Sequence, residues 1–166
     1  MPPPVRRVWC SCVIIDYLAG KTHAAACEEV INHAKSGQIE IVVSALAEAE
    51  VVKLDGHLQE NAEAMIAEFF ERDYVIRADL GPLVAKRART IVRDYHLKPL
   101  DAVHVATAIE QRIEILETYD GDMITAVDGQ KFDVEGVELM LGARNPIWEK
   151  VERPLDRLLR ESQHGE

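Results

Sequence analysis

The sequence predicts an α/β sandwich around a mostly parallel sheet, and three observations carry that expectation. Short β-branched or apolar runs recur along the chain, among them VRRVW (5–9), IEIVV (39–43), YVIR (74–77) and IEILET (113–118). Segments with helical periodicity separate them, and such alternation marks crossover helices that join parallel strands. A length of 166 residues suits one domain that buries a substantial core without disulfides or a structural metal.

Taken in order, Val5 to Trp9 is a strand that enters a first helix through Cys10-Ser11-Cys12, and Gly20 closes that helix. Thr22 is expected to cap a second helix, which runs to about Lys35 and stops at Ser36-Gly37. Ile39 to Val43 has the composition of a buried parallel strand. Ser44 then caps a third helix, SALAEAEVVKLD, ended near Asp55-Gly56. A fourth helix, from about Leu58 to Glu71, gathers Ala62, Met65, Ile66, Phe69 and Phe70 on one side.

Tyr74 to Arg77 reads as a strand, and Leu80 to Tyr95 as a helix carrying Lys86, Arg87, Arg89 and Arg93. The stretch LKPLDAVHVATAIEQ (97–111) is a helix beginning at Pro99, where a missing N–H costs nothing. Leu100, Val103, Val105, Ala106, Ala108 and Ile109 make it apolar almost all the way round, so it packs inside the domain. Ile113 to Thr118 is a strand, Tyr119-Asp120-Gly121-Asp122 a turn, and Val137 to Leu141 a last edge strand. The chain therefore divides into a domain over 1–145 and a charged helical tail over 146–166, broken or kinked at Pro154, whose Trp148, Val151, Leu155, Leu158 and Leu159 are expected to pack back on the domain or on a partner.

Composition narrows the function. A net charge of -10 argues against non-specific wrapping of nucleic acid, which needs surplus Lys and Arg. No run approaches a membrane span, and the opening MPPPVRR reads as a loose leader. Three cysteines without an export signal point to a reducing, cytoplasmic setting and free thiols. Cys10, Cys12, His23 and Cys27 match the spacing of no closed zinc site.

Asp101 lies in the opening turn of the buried helix, where the dipole favours a negative charge but burial demands a partner or a cation. In open α/β sheets, ligands gather beyond the carboxyl ends of the strands. Those ends carry Cys10-Ser11, then Ser44 followed by Glu48 and Glu50, then Thr118 with Asp120 and Asp122. Glu50, Asp101, Asp120 and Asp122 are expected to converge, and carboxylates sharing a small site need a cation or protons between them. Mg²⁺ or Mn²⁺ takes such oxygen ligands. Glu48 has the ordinary reading of an exposed helix residue, Asp16 that of a solvated charge, and His104 that of a core histidine.

The segments VWCSCVIIDYLAG, VVSALAEAEVV, LKPLDAVHVATAI and ETYDGDM resemble the four acidic motifs of the PIN-domain family, as found in VapC-type toxins. The likeness spans roughly residues 5–141, and the third motif is its most specific part. It implies a three-layer α/β/α sandwich and a Mg²⁺- or Mn²⁺-dependent endoribonuclease, the toxin of a toxin–antitoxin pair, with an antitoxin partner and a homodimeric assembly. Glu50, Asp101, Asp120 and Asp122 would hold the metal, the first three as catalytic residues, while the Ser11 and Thr118 hydroxyls orient ligands or water. Lys86, Arg87, Arg89, Arg93 and Lys98 are the candidates for RNA phosphates, and the apolar side of the 58–71 helix for the dimer contact. Cys10 stands where the family carries an aspartate, and a soft thiol suits Mg²⁺ poorly. The alternative is therefore a catalytically inactive PIN-fold module that binds RNA or protein.

Overall fold

The computed structural model describes residues 2–148. Its elements are β1 (Val5–Trp9), α1 (Ser11–Ala19), α2 (Ala24–Lys35), β2 (Ile39–Ser44), α3 (Leu46–Glu50), α4 (Gln59–Glu71), β3 (Val75–Ala78), α5 (Pro82–Tyr95), α6 (Pro99–Glu110), β4 (Ile115–Glu117), α7 (Gly121–Val127), β5 (Lys131–Val134), β6 (Val137–Met140) and β7 (Gly142–Arg144). Five strands form one sheet in the order β3-β2-β1-β4-β7, with each neighbouring pair parallel. The mostly parallel α/β sandwich expected from the sequence is thus present.

The central strands bury both faces, which is why they read as continuous apolar runs. Period-two alternation sends Val8, Val42 and Leu116 into one core with α5, α6 and α7. Trp9, Ile41 and Val43 face the other core, built with α1, α2 and α4. The result is three layers, helices on sheet on helices. The chain runs from β1 outward to β2 and β3, then returns to place β4 on the far side of β1. That reversal makes the carboxyl ends of β1 and β4 a topological switch point, the usual place for a ligand in open α/β sheets.

Several expectations require correction. The third helix stops at Glu50 rather than near Asp55, because the pair Val51-Val52 leaves helical geometry, with Val51 at φ -90 and ψ 87. Buried Val51 and Leu54 then anchor the connection to the core. The second helix starts at Ala24 with His23 in the capping position, and no side chain caps it. The segment 119–122 is not a simple turn. Asp120 caps a new helix, α7, by accepting the N–H groups of Asp122 and Met123.

Val137–Met140 pairs antiparallel with β5 in a separate hairpin, and Gly142–Arg144 takes the edge of the main sheet. Glu135 and Gly136, at φ 51 and 82, make the hairpin turn, since two successive left-handed residues match the twist of the strands. The apolar side of α4 is not free for a partner: Ala62, Phe69 and Phe70 are buried and Met65 and Ile66 pack against the same core.

Of the expected helical tail, residues 149–166, with Pro154, lie outside the described residues. Pro146–Trp148 are not helical, but Trp148 packs on the Trp9 core and stacks on His33. Among the described residues, no helix is long and apolar enough to cross a membrane.

Candidate active site

The carboxyl ends of β1 and β4 lie near several of the residues singled out by the sequence. At the end of β1, the chain turns through Cys10, extended at φ -76 and ψ 160, and Ser11 opens α1. Cys10 N–H bonds to the Glu117 carbonyl at 3.2 Å, which joins the ends of β1 and β4. α3 ends at Glu50, α6 presents Asp101 in its first turn, and Asp120 follows β4.

Glu50 is held from two sides. Ser11 Oγ donates to its Oε1 at 2.7 Å, and His104 Nε2 lies 2.6 Å from the same oxygen. An ionised carboxylate only accepts, so Nε2 carries the proton in this contact. Burial by itself would raise the Glu50 carboxyl, but the hydrogen bonds from His104 and Ser11 outweigh it and hold the group below the usual carboxylate range. Glu50 is thus fixed as an anion.

Asp101 behaves in the opposite way. Burial pushes its carboxyl above the usual value, the negative charge of Asp120 adds to the push, and His104 and Lys98 oppose it. Two partly buried carboxylates that repel each other without a bridging donor make a site that is unfavourable until something positive enters. Asp120 is meanwhile oriented through Oδ1, which accepts from Asp122 N at 3.0 Å and Met123 N at 3.2 Å. Thr118 Oγ1 accepts the Asp120 N–H at 3.1 Å and sits 3.4 Å from Cys12 Sγ. Its hydroxyl shapes the loop that carries Asp120.

Cys10 lies among these groups. Burial drives its thiol well above the ordinary value, with Cys12, Asp101 and Glu50 adding negative charge and the Thr118 hydroxyl opposing. The thiol is neutral, in van der Waals reach of Met123 Sδ at 3.8 Å. It therefore adds neither charge nor a hard ligand. Among the described residues, no three His, Cys, Asp or Glu side chains are grouped so as to hold an ion. What is present fits a cation bound through one or two carboxylates, Asp101 and Asp120, with the rest of its coordination left to water and phosphate, as Mg²⁺ commonly accepts. It does not make an all-protein cage.

Other expectations are placed as follows. Asp122 is exposed in the first turn of α7, and it touches Asp120 through its backbone N–H rather than its carboxylate. Of the basic series, Lys98 is the one whose charge acts on Asp101. Arg87 is engaged by Glu110 at 2.7 Å and by the Asp133 carbonyl, and Arg93 by Asp94 at 2.8 Å. Lys86 and Arg89 are exposed on α5. Asp16 is not solvated: it is 9% exposed and its Oδ1 has no partner.

His104 is the core histidine that the sequence suggested, and its partner is Glu50. It is 2% exposed, and with its Nδ1 unpartnered, its bond to Glu50 is its main polar commitment. The signal was its spacing, one turn after Asp101 on the same helix. Replacing His104 with Leu should loosen Glu50 and weaken Mn²⁺ binding by roughly 10- to 100-fold, the usual cost of losing a group that orients a ligand. His104→Gln, which keeps a side-chain N–H donor, should recover part of that loss in a Mn²⁺ titration.

Comparison with known proteins bears on the family and the fold. The family model described as "PIN domain" matches residues 11–129. No curated protein matches the chain. Among solved structures, VapC20 of Mycobacterium tuberculosis, a sarcin-ricin loop cleaving toxin, is 16% identical with a TM-score of 0.59, over 72% of this chain and 94% of that one. VapBC2 of Rickettsia felis, bound to a DNA fragment from its promoter, is 15% identical with a TM-score of 0.58, over 84% and 98%. A toxin–antitoxin complex from Klebsiella pneumoniae is 19% identical with a TM-score of 0.50, over 69% and 86%. At these identities the likeness is one of fold.

Proposed function

Since the chain belongs to the PIN-domain family, we propose that it is a metal-dependent endoribonuclease and the toxin of a toxin–antitoxin pair. The observation that carries the reading is the mutual repulsion of Asp101 and Asp120 beside a Glu50 locked as an anion, at the switch point of a parallel sheet. Asp101 carries an uncompensated electrostatic cost there, which a bound cation would offset.

In this reading, Asp101 and Asp120 hold a Mg²⁺ or Mn²⁺ ion, with Glu50 beside them and Asp122 at the rim. When bound, such an ion lowers the pKa of a water and offsets charge on the phosphate oxygens of the scissile bond. The protein's own part is positioning. His104 and Ser11 keep Glu50 aimed, Thr118 and the first turn of α7 fix Asp120, and Lys98 faces an arriving phosphate as a positive charge at the edge of the acids. Lys86, Arg87, Arg89 and Arg93 lie farther along α5 and would touch RNA only beyond the cleaved bond. The toxin–antitoxin assembly of the Klebsiella and Rickettsia structures supports an antitoxin partner for this chain, and a homodimer in the cytoplasm completes the proposal.

A second reading, a PIN-fold module that binds RNA or protein without cutting, is favoured by Cys10. The two separate in one experiment. Cys10→Asp adds a hard ligand among Asp101, Glu50 and Thr118 and should tighten Mn²⁺ by about tenfold or more, with RNA cleavage rising in step. A Cys10→Asp protein that neither binds Mn²⁺ in calorimetry nor cuts RNA would leave only the binding module.

A further inference from the structure

Next in sequence to Asp120 is one member of a pair of stacked rings that the proposed chemistry does not use. Tyr119 lies between Thr118 and Asp120, and its ring is fixed at three points. Its hydroxyl lies 3.1 Å from Cys27 Sγ and 3.4 Å from the His23 carbonyl, and its backbone N–H donates to Cys12 Sγ at 3.5 Å. The imidazole of His23 stacks on it, with ring centroids 4.6 Å apart and planes inclined by 24°.

His23 has no local reason for its side chain. It holds the capping position of α2, where Ser, Thr, Asp and Asn are preferred because they bond the free N–H groups, yet it makes no capping bond. Its ring nitrogens make no hydrogen bond among the described residues, and the residue is exposed. One ring face covers Tyr119. His23 is exposed, no other ring is stacked on it among the described residues, and Tyr119 directly precedes Asp120 in the chain.

We propose that the His23–Tyr119 stack is a nucleobase platform, which seats a base of single-stranded RNA so that its backbone leads toward Asp120 and Asp101, where a bound cation would offset the repulsion between the acids and the phosphate. Proteins read unpaired RNA by stacking splayed bases on aromatic or histidine rings, since every base has a π-face. A platform that precedes Asp120 in the chain directs the backbone toward the acids. It also lets an acidic protein hold RNA without a broad basic surface, because stacking is indifferent to net charge. This deepens the ribonuclease reading and rests on it.

The test uses a short single-stranded oligoadenylate with one 2-aminopurine moved through successive positions, bound to the intact chain in metal-free buffer, together with KM for cleavage in Mn²⁺. In the wild type, the fluorescence of one position should be quenched, and an abasic nucleotide there should weaken binding by roughly 5- to 100-fold. His23→Ala should show the same loss, become indifferent to the abasic change, and raise KM by a similar factor. His23→Trp should restore both the quench and the binding, which a merely structural role would not predict. The Tm of His23→Ala checks that the fold is intact. If the wild type cuts RNA but His23→Ala binds and cuts as well, or 2-aminopurine stays bright at all positions, the platform is overturned alone. A wild type that neither binds nor cuts RNA overturns the ribonuclease reading and the platform with it.

Discussion

Asp101→Asn is expected to lower metal-dependent RNA cleavage by roughly 100-fold or more, and in the same protein to raise the thermal midpoint measured in chelator. The two effects have one cause. The folded-state value of Asp101 lies above its ordinary one, through burial first and the charge of Asp120 second. Wherever this carboxyl is ionised, the folded state alone bears the added cost of the charge. That cost fades as pH falls through the raised folded value. Asparagine keeps the shape and removes it.

Glu50 runs the other way. Its folded value is depressed, by hydrogen bonds from His104 and Ser11 that overcome burial. It contributes stability above its unfolded value, which is lost as pH falls through the folded one. Glu50→Gln should therefore lower the midpoint at neutral pH while Asp101→Asn raises it. Thermal melts of the two variants across acid pH, without metal, check the signs. A lower midpoint for Asp101→Asn would mean that Asp101 is held by partners within the protein, and the case for a cation would go with it.

How far the sequence disclosed this site depends on the kind of signal. The parallel sheet was legible because strands buried on both faces, such as IEIVV, leave continuous apolar runs whatever surrounds them. Helix α6 was legible from Pro99 and its apolar girth, and with it the exceptional position of Asp101. β7 was not, since Gly142-Ala143-Arg144 has neither length nor pattern and is a strand only because β4 offers it an edge. The end of α3 was missed for a similar reason: propensity continues past Glu50, but burial of Val51 and Leu54 turns the chain. Asp16 looked solvated because nothing local distinguishes a charged residue on a buried face from one on an exposed face. His104 and the His23–Tyr119 stack depend on contacts between distant segments, which no spacing rule encodes.

The largest loss of stability should come from a residue outside the metal chemistry, Glu117. Its side chain is wholly buried and accepts from Arg7 Nη1 at 3.0 Å, Trp9 Nε1 at 2.9 Å and Ile147 N at 3.1 Å. Arg7 is equally buried, with Nε and Nη2 lacking partners, and it also donates to the Ile147 carbonyl at 3.0 Å. Glu117→Gln preserves volume but leaves the Arg7 guanidinium without its counter-charge, and breaking a buried pair on one side costs about 3–5 kcal/mol. Against a total of roughly 5–15 kcal/mol for a domain, that leaves a substantial unfolded population on warming. Removing both charges is a different matter, since apolar packing replaces a buried pair at little cost. Arg7→Met combined with Glu117→Leu should therefore cost less than the sum of the two single changes, the remainder coming from Arg144, Trp9 Nε1 and Ile147 N, which also face Glu117, and urea unfolding of the four proteins measures the coupling. The pair also bears on the site. Glu117 directly precedes Thr118, Tyr119 and Asp120, and its anchorage to Arg7 and Trp9 fixes the end of β4 against β1. Glu117→Gln should thus lose activity at temperatures where most of it remains folded, because Asp120 no longer meets Asp101 from a fixed strand. A Glu117→Gln protein within about 1 kcal/mol of the wild type, the scale of an exposed pair, would show that the buried charges hold neither the sheet nor the acids in place.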